Sequence, residues 1–229
     1  MSGAAEKLLA RTSLFKGLDE AHLARLAEGA VLRSYKKGSV IFHEGDPGDS
    51  LYVVVSGSLK IFLTSREGAE LLLTRLSVGE TFGELALIDG GGRSASVEAL
   101  EETELLRLSR PTLLEILRDE PQVTEPLLTN LGRIIRRVSE QAADLVFLDL
   151  DGRVAKLLVQ LAETTERASG GEMTIDLGMT QSDLASLIGG SRQSVNNSLH
   201  RFEKRGYIRI DKRRVVVKDL HRLQARAGL

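Results

Sequence analysis

Residues Phe82 to Val97 read Phe-Gly-Glu-Leu-Ala-Leu-Ile-Asp-Gly-Gly-Gly-Arg-Ser-Ala-Ser-Val, and this run decides both the fold and the chemistry expected of it. Gly83 lets the backbone come close to a ligand. Glu84 supplies a carboxylate able to accept hydrogen bonds from a sugar hydroxyl. The turn that begins at Leu85 offers free N–H groups at the start of a short helix, where unpaired donors and the helix dipole favour a phosphate. Arg93 brings the planar, permanently charged fork that phosphate geometry prefers, and Ser94 adds one more donor. The whole pattern suits a small anion that also carries a hydroxyl.

Outward from this run the sequence is β in character. Short helices come first: Ala4 to Ala10, a turn at Phe15-Lys16-Gly17-Leu18, then Asp19 as N-cap of a helix that turns Leu23, Leu26 and Ala27 inward. From Val31 the period changes. Apolar runs at 31–32, 40–42, 51–55, 59–63, 71–76, 97–100 and 105–108 alternate with turns at Gly38, Gly45-Asp-Pro-Gly48, Gly57, Gly68 and Gly79. Such spacing predicts an antiparallel jelly roll. Gly38, Gly45, Gly48 and Gly57 read as hairpin glycines, which support the fold and not the ligand.

Pro111 opens a helix through Ile116 and Leu117, and a longer helix is predicted from about Glu125 to Phe147. Leu127, Leu131, Ile134, Val138, Ala142 and Leu145 recur along it at spacings of three and four. A seam this narrow predicts a two-stranded coiled coil, and so a homodimer.

The net charge of -1 hides a split: residues 1–151 hold 17 Lys+Arg against 24 Asp+Glu, and residues 152–229 hold 14 against 8. Only the basic back half is suited to a polyanion. Within it, Thr180 and Asp183 form a capping-box pattern, Leu184, Leu187 and Ile188 share one face, Gly189-Gly190 stops that helix and Ser191 caps the next. Val195, Leu199 and Phe202 form the second helix's inner face. The pair reads as a helix-turn-helix. Arg192, Gln193, Asn196, Asn197 and His200 lie away from the inner face, and Arg, Gln and Asn are side chains that read base edges bidentately. Residues 207–217 then read as a hairpin with a basic tip that includes Lys212, Arg213 and Arg214, a wing able to meet phosphates. With Gln181 and Ser191 at the starts of the two helices, these residues form the predicted interface with double-stranded DNA.

Gly-Glu-Leu-Ala-Leu, five residues and then Arg-Ser-Ala-Ser-Val resembles the phosphate-binding cassette of the cyclic-nucleotide-binding domain. The run from His43 to Gly57 is similar to the first half of that domain. With the helix-turn-helix, the resemblance covers nearly the whole chain and points to bacterial transcription factors of the cAMP receptor protein/fumarate-nitrate regulator superfamily. It implies an α+β architecture in three parts: a cyclic-nucleotide-binding jelly roll at 1–122, a long dimerisation helix and hinge at 123–150, and a winged helix-turn-helix at 151–229.

By the same resemblance, Glu84 holds the ribose 2′-hydroxyl, Arg93 and Ser94 the cyclic phosphate, and the backbone of Gly83 and Leu85 the remainder. Val138 and Ser139 fall at the base-contacting positions. The superfamily's bacterial cAMP receptor protein carries hydroxyl residues at both, whereas this chain has only Ser139. Val138 cannot hydrogen-bond an adenine amino group, which leaves cGMP, cyclic di-GMP and ligand-free DNA binding open; the complete ribose-phosphate cassette keeps cAMP first. Arg192 matches the superfamily's guanine-reading arginine, while Gln193 replaces a glutamate and Asn197 a second arginine. RNA polymerase is a further partner that the resemblance implies.

Composition excludes other classes. The chain has no cysteine, which removes disulfides, thiol nucleophiles and iron–sulfur clusters. No apolar run has the length of a signal peptide core or a membrane span, so a cytoplasmic protein is expected. A metalloenzyme on the same barrel needs clustered ligands, yet His22, His43, His200 and His221 are scattered. No nucleophile elbow or P-loop occurs, and an enzyme is not expected.

Overall fold

The structure is a computed structural model and describes residues 2–12, 14–163, 173–177, 180–211 and 214–229. Packing divides the chain into two compact units: Met1–Gly68 with Leu73–Arg136, and Ala69–Leu72 with Arg137–Leu229.

Two helices lead, α1 (Ser2–Arg11) and α2 (Glu20–Glu28). The Asp19 carboxylate accepts from the His22 N–H at 2.9 Å and caps α2. Eight strands follow: β1 (Ala30–Tyr35), β2 (Val40–Phe42), β3 (Ser50–Ser56), β4 (Leu59–Thr64), β5 (Glu70–Leu76), β6 (Thr81–Phe82), β7 (Ser96–Ala99) and β8 (Thr103–Ser109). They form two four-stranded sheets, β1-β8-β3-β6 and β2-β7-β4-β5. This is the expected sandwich, with the two-residue strand β6 added to the runs read from the sequence. Inserted between β6 and β7 is the short helix α3 (Glu84–Asp89).

Strand β3 shows why its run is apolar without alternation. Tyr52 and Val54 face Phe82, Val97 and Leu105 inside the sandwich, whereas Leu51 and Val53 pack under the helices against Leu26, Leu108, Leu113 and Ile116. Both faces are buried, so both parities are apolar. The helical layer is completed by α4 (Arg110–Asp119), which Ser109 caps and Pro111 opens. Next comes α5 (Thr124–Phe147).

The long helix corrects the predicted seam. Leu127 is buried among the residues of the first unit's helical layer, and Ile134 is half-buried. The apolar residues left exposed include Leu128, Ile135, Val138 and Leu145, at 61, 66, 50 and 47 %. With Leu131 and Ala142 they repeat as 128, 131, 135, 138, 142 and 145, an unbroken alternation of three and four. Of the predicted seam, Leu127 is therefore already taken up by the first unit, and Leu128 and Ile135 stand exposed beside it.

The second unit holds α6 (Leu150–Glu163), β9 (Met173–Asp176), α7 (Gln181–Ile188), α8 (Arg192–Lys204), β10 (Ile208–Asp211), β11 (Arg214–Val217) and α9 (Leu220–Arg226). Its sheet runs β10-β11-β9. Val154, Leu158, Leu184, Val195, Leu199, Phe202, Ile208 and Val215 form one core between helices and sheet. Helices packed on a small sheet with a hairpin make a winged helix.

Candidate ligand pocket and nucleic-acid interface

A loop, a short helix and one arginine build the pocket. Gly83 precedes α3 at φ +85°, and a Cβ there would lie 2.6 Å from Arg93 Nη1. That nitrogen donates to the Gly83 carbonyl at 2.9 Å. The loop before β3 pairs with the arginine's own backbone, since the Arg93 N–H donates to the Asp46 carbonyl and the Gly45 N–H to the Arg93 carbonyl, both at 2.8 Å. Gly48 was read as a hairpin glycine, but a Cβ on it would lie 2.1 Å from the Ala86 Cβ of α3. It is glycine so that the loop can touch the helix.

Glu84 and Arg93 are buried, at 5 and 4 % exposure. Among the described residues, Glu84 Oε2 and Arg93 Nε have no hydrogen-bond partner. Burial raises the Glu84 carboxyl above its ordinary range, against a lowering by its own backbone N–H and by Arg93. Burial also lowers the Arg93 guanidinium, opposed by Tyr52 and Asp49. Buried donors and acceptors left unused are costly without a ligand to meet them. An anion that carries a hydroxyl would use both.

Leu85, directly after Glu84, is half-buried, and Ser94, directly after Arg93, is exposed. Val138 and Ser139 are both exposed on α5 and belong to the second unit. Phe42 and Tyr52 read from sequence only as strand residues, yet both rings face the Arg93 guanidinium, with centroids 4.3 and 5.6 Å from its carbon.

In the second unit the predicted caps form. Asp183 N–H donates to Thr180 Oγ1 at 3.1 Å, and Thr180 N–H donates to the Asp183 carboxylate at 3.0 Å. Gly189 ends α7 at φ +66°, and Ser191 caps α8. Val195, Leu199 and Phe202 are buried, which leaves Arg192, Gln193, Asn197 and His200 exposed and Asn196 half-buried. Gln181 joins this group: its Nε2 donates to Asn196 Oδ1 at 3.3 Å, and its Oε1 accepts from Arg192 Nε at 3.4 Å. On the wing, Arg214 is well exposed and 3.8 Å from the Asp176 carboxylate. Lys212 and Arg213 lie outside the described residues.

A set of contacts around the start of α6 was not found from sequence. Arg153 donates to the carbonyls of Leu148 and Ile188, both at 2.8 Å, and so ties the end of α5 to the end of α7. Arg226 grips Asp149 at 2.5 Å. The Asp151 carboxylate takes a hydrogen bond from Ser198 of α8 at 2.6 Å and an ion pair from Arg201 of the same helix. Arg201 holds the Asp151 carboxyl below its ordinary range.

A jelly roll with a buried arginine–glutamate pocket, joined through a long helix to a winged helix, defines a ligand-sensing transcriptional regulator. Comparison with known proteins agrees. Residues 32–120 match the cyclic nucleotide-binding domain, and residues 152–226 match the Crp-like helix-turn-helix domain. The chain is 37 % identical over 222 residues to the CRP-like cAMP-activated global transcriptional regulator of Mycobacterium tuberculosis, covering 97 % of this chain and 99 % of that one. It is 35 % identical to the cyclic AMP receptor protein of Thermus thermophilus, covering 90 and 92 %. Among solved structures, the c-di-GMP responsive global regulator CLP of Xanthomonas campestris aligns with a TM-score of 0.73 at 25 % identity, over 87 % of this chain and 99 % of that one. The chain belongs to the cAMP receptor protein/fumarate-nitrate regulator superfamily, and it binds cyclic nucleotide and DNA as a transcriptional regulator of that kind. Among the described residues, no helix is long and apolar enough to cross a membrane.

Proposed function

We propose that this protein is a homodimeric regulator that binds cAMP in the pocket of Glu84 and Arg93 and, in response, binds a palindromic operator. One observation carries the ligand reading. A carboxylate and a guanidinium, both buried, each keep an atom without a hydrogen-bond partner among the described residues. Glu84 takes the ribose 2′-hydroxyl, Arg93 and Ser94 take the cyclic phosphate, and the backbone of Gly83 and Leu85 completes the cradle. Relatives named as a cAMP-activated regulator and as a cyclic AMP receptor protein, at 37 and 35 % identity, support cAMP as the effector.

The mechanism follows from the order of parts, with residues 1–122 as the ligand domain, 123–150 as dimer helix and hinge, and 151–229 as the DNA-binding domain. Ligand in the jelly roll bears on α5 at Val138 and Ser139. The exposed seam from Leu128 to Leu145 buries itself against a second copy. Two copies of α8 then present Arg192, Gln193, Asn196, Asn197 and His200 to successive major grooves, while Arg214 with Lys212 and Arg213 of the wing meets the phosphate backbone. A ligand moves this equilibrium only by favouring one arrangement of the dimer over the other.

Val138 favours a second reading in which the effector is cyclic di-GMP or cGMP, because a valine offers the base no hydrogen bond. The likeness to a c-di-GMP responsive regulator supports keeping it. Titration calorimetry with cAMP, cGMP and cyclic di-GMP, followed by DNA binding with and without each, separates the readings. The first expects cAMP to bind tightest and to raise DNA affinity. A regulator that binds none of the three sinks both.

A further inference from the structure

A buried arginine usually keeps its charge by pairing with a carboxylate. Arg93 does not. It is 4 % exposed, and its side chain makes one hydrogen bond among the described residues, from Nη1 to the Gly83 carbonyl. What faces it instead is aromatic. The guanidinium carbon lies 4.3 Å from the ring centroid of Phe42 and 5.6 Å from that of Tyr52. These rings are not free to move aside, because Phe42 packs on Tyr52 and Phe82 at 5.8 and 5.9 Å, and Tyr52 stacks on Phe82 at 5.1 Å.

The nearby charges point the same way. Asp49, an attractive charge for Arg93, is already engaged by Arg107 Nη2 at 2.8 Å and by the Ser50 hydroxyl at 2.7 Å. The Arg107 Nε donates to that same hydroxyl at 2.6 Å. Of the two carboxylates that attract Arg93, Asp49 and Glu84, the first is thereby held by another arginine.

The geometry points to Phe42 as a positioning residue for phosphate binding: its ring face holds the Arg93 cation in place while leaving the guanidinium N–H groups not given to Gly83 available to the ligand. A ring face stabilises a cation without accepting its hydrogen bonds. A carboxylate in the same place would consume those donors, and an incoming phosphate would have to displace it. Phe42 therefore acts through Arg93 and need not touch the ligand. This inference rests on the pocket assigned under Proposed function.

Titration calorimetry with cAMP on four full-length proteins tests it: wild type, Phe42→Leu, Phe42→Tyr and Arg93→Ala, with the double variant Phe42→Leu/Arg93→Ala closing the cycle. Leucine keeps most of the apolar volume and removes the ring face, and tyrosine keeps the face. Phe42→Leu should weaken cAMP binding by roughly five- to thirtyfold, the span of a partly dry cation–π contact. Phe42→Tyr should stay within about twofold of wild type. In the Arg93→Ala background the leucine change should have no further effect on affinity. A merely structural role for Phe42 would weaken binding equally in both backgrounds, and that result overturns the inference. So does a Phe42→Leu protein that binds cAMP as wild type does. If Phe42→Leu fails to fold, Phe42→Tyr decides: a loss of more than tenfold in a folded tyrosine variant contradicts a role for the ring face, and unchanged affinity bears it out. If wild type binds neither cAMP nor cGMP, the pocket assignment itself fails, an outcome distinct from wild-type binding with an indifferent Phe42.

Discussion

Arg93 Nη1 donates to the Gly83 carbonyl at 2.9 Å, and a methyl group on Gly83 would lie 2.6 Å from that same nitrogen. The glycine and the arginine, ten residues apart, are one unit. Gly83 also sits at φ +85°, where an L side chain costs about 1–2 kcal/mol. Gly83→Ala should lower stability by about that amount and displace the guanidinium, so that nucleotide affinity falls by tenfold or more. Thermal unfolding and calorimetry on the same preparation measure the two effects.

Glu84 gives a pH signature. Burial raises its folded-state pKa above the unfolded value, so its contribution favours the ligand-free fold below the unfolded carboxylate range and is lost as pH rises through the raised pKa. Glu84→Gln should therefore make the ligand-free protein more stable than wild type at pH 8, with the gap closing toward pH 4. The same variant should bind cyclic nucleotide more weakly. Unfolding midpoints across that pH range check the sign, and a gap that widens on acidification contradicts it.

Asp151 has the opposite sign. Its folded-state pKa is depressed by Arg201, with Ser198 adding to the effect, so the stability it gives is present above the unfolded pKa and lost as pH falls through the folded one. Asp151→Asn weakens the ion pair to Arg201 and alters the bond from the buried Ser198 hydroxyl. A cost of about 1–2 kcal/mol at pH 7 that shrinks toward pH 3 is expected, read from denaturant midpoints. Because both partners sit on α8, DNA affinity should fall with it.

The exposed seam predicts where the proposed dimer is vulnerable. Ile135 is 66 % exposed in the single chain, so Ile135→Asp should give folded monomers in sedimentation velocity. Leu127→Ala should act differently, lowering stability by about 2–5 kcal/mol through a core cavity while leaving the dimer intact. A dimer that survives Ile135→Asp moves the interface to another surface.

Much of this was legible in the sequence. Glycine-punctuated apolar runs gave the sandwich, and Thr180, Asp183, Gly189 and Ser191 gave the helix-turn-helix nearly to the residue, because caps and turns are local chemistry. The register of the seam was not. Leu127 and Leu128 are equally apolar, and only the packing of the first unit shows that Leu127 is already buried. The aromatic seat of Arg93 was hidden for the same reason: Phe42 and Tyr52 look like ordinary strand residues until the sheets bring them to residue 93. The aspartates at 149 and 151 meet Arg226 and Arg201 across long stretches of sequence, which no local pattern reports.

The central claim is that nucleotide in the Arg93 pocket governs DNA binding. The most direct measurement is fluorescence anisotropy on an inverted-repeat duplex selected from random DNA with this protein, with half-site centres about 34 Å apart, titrated with and without cAMP. Wild type should bind at least tenfold tighter with cAMP, Arg93→Ala should lose that response, and Arg192→Ala should lose affinity for the selected sequence with or without ligand. Equal DNA affinity of wild type in the presence and absence of nucleotide, or an Arg93→Ala protein that still responds in full, would contradict the account.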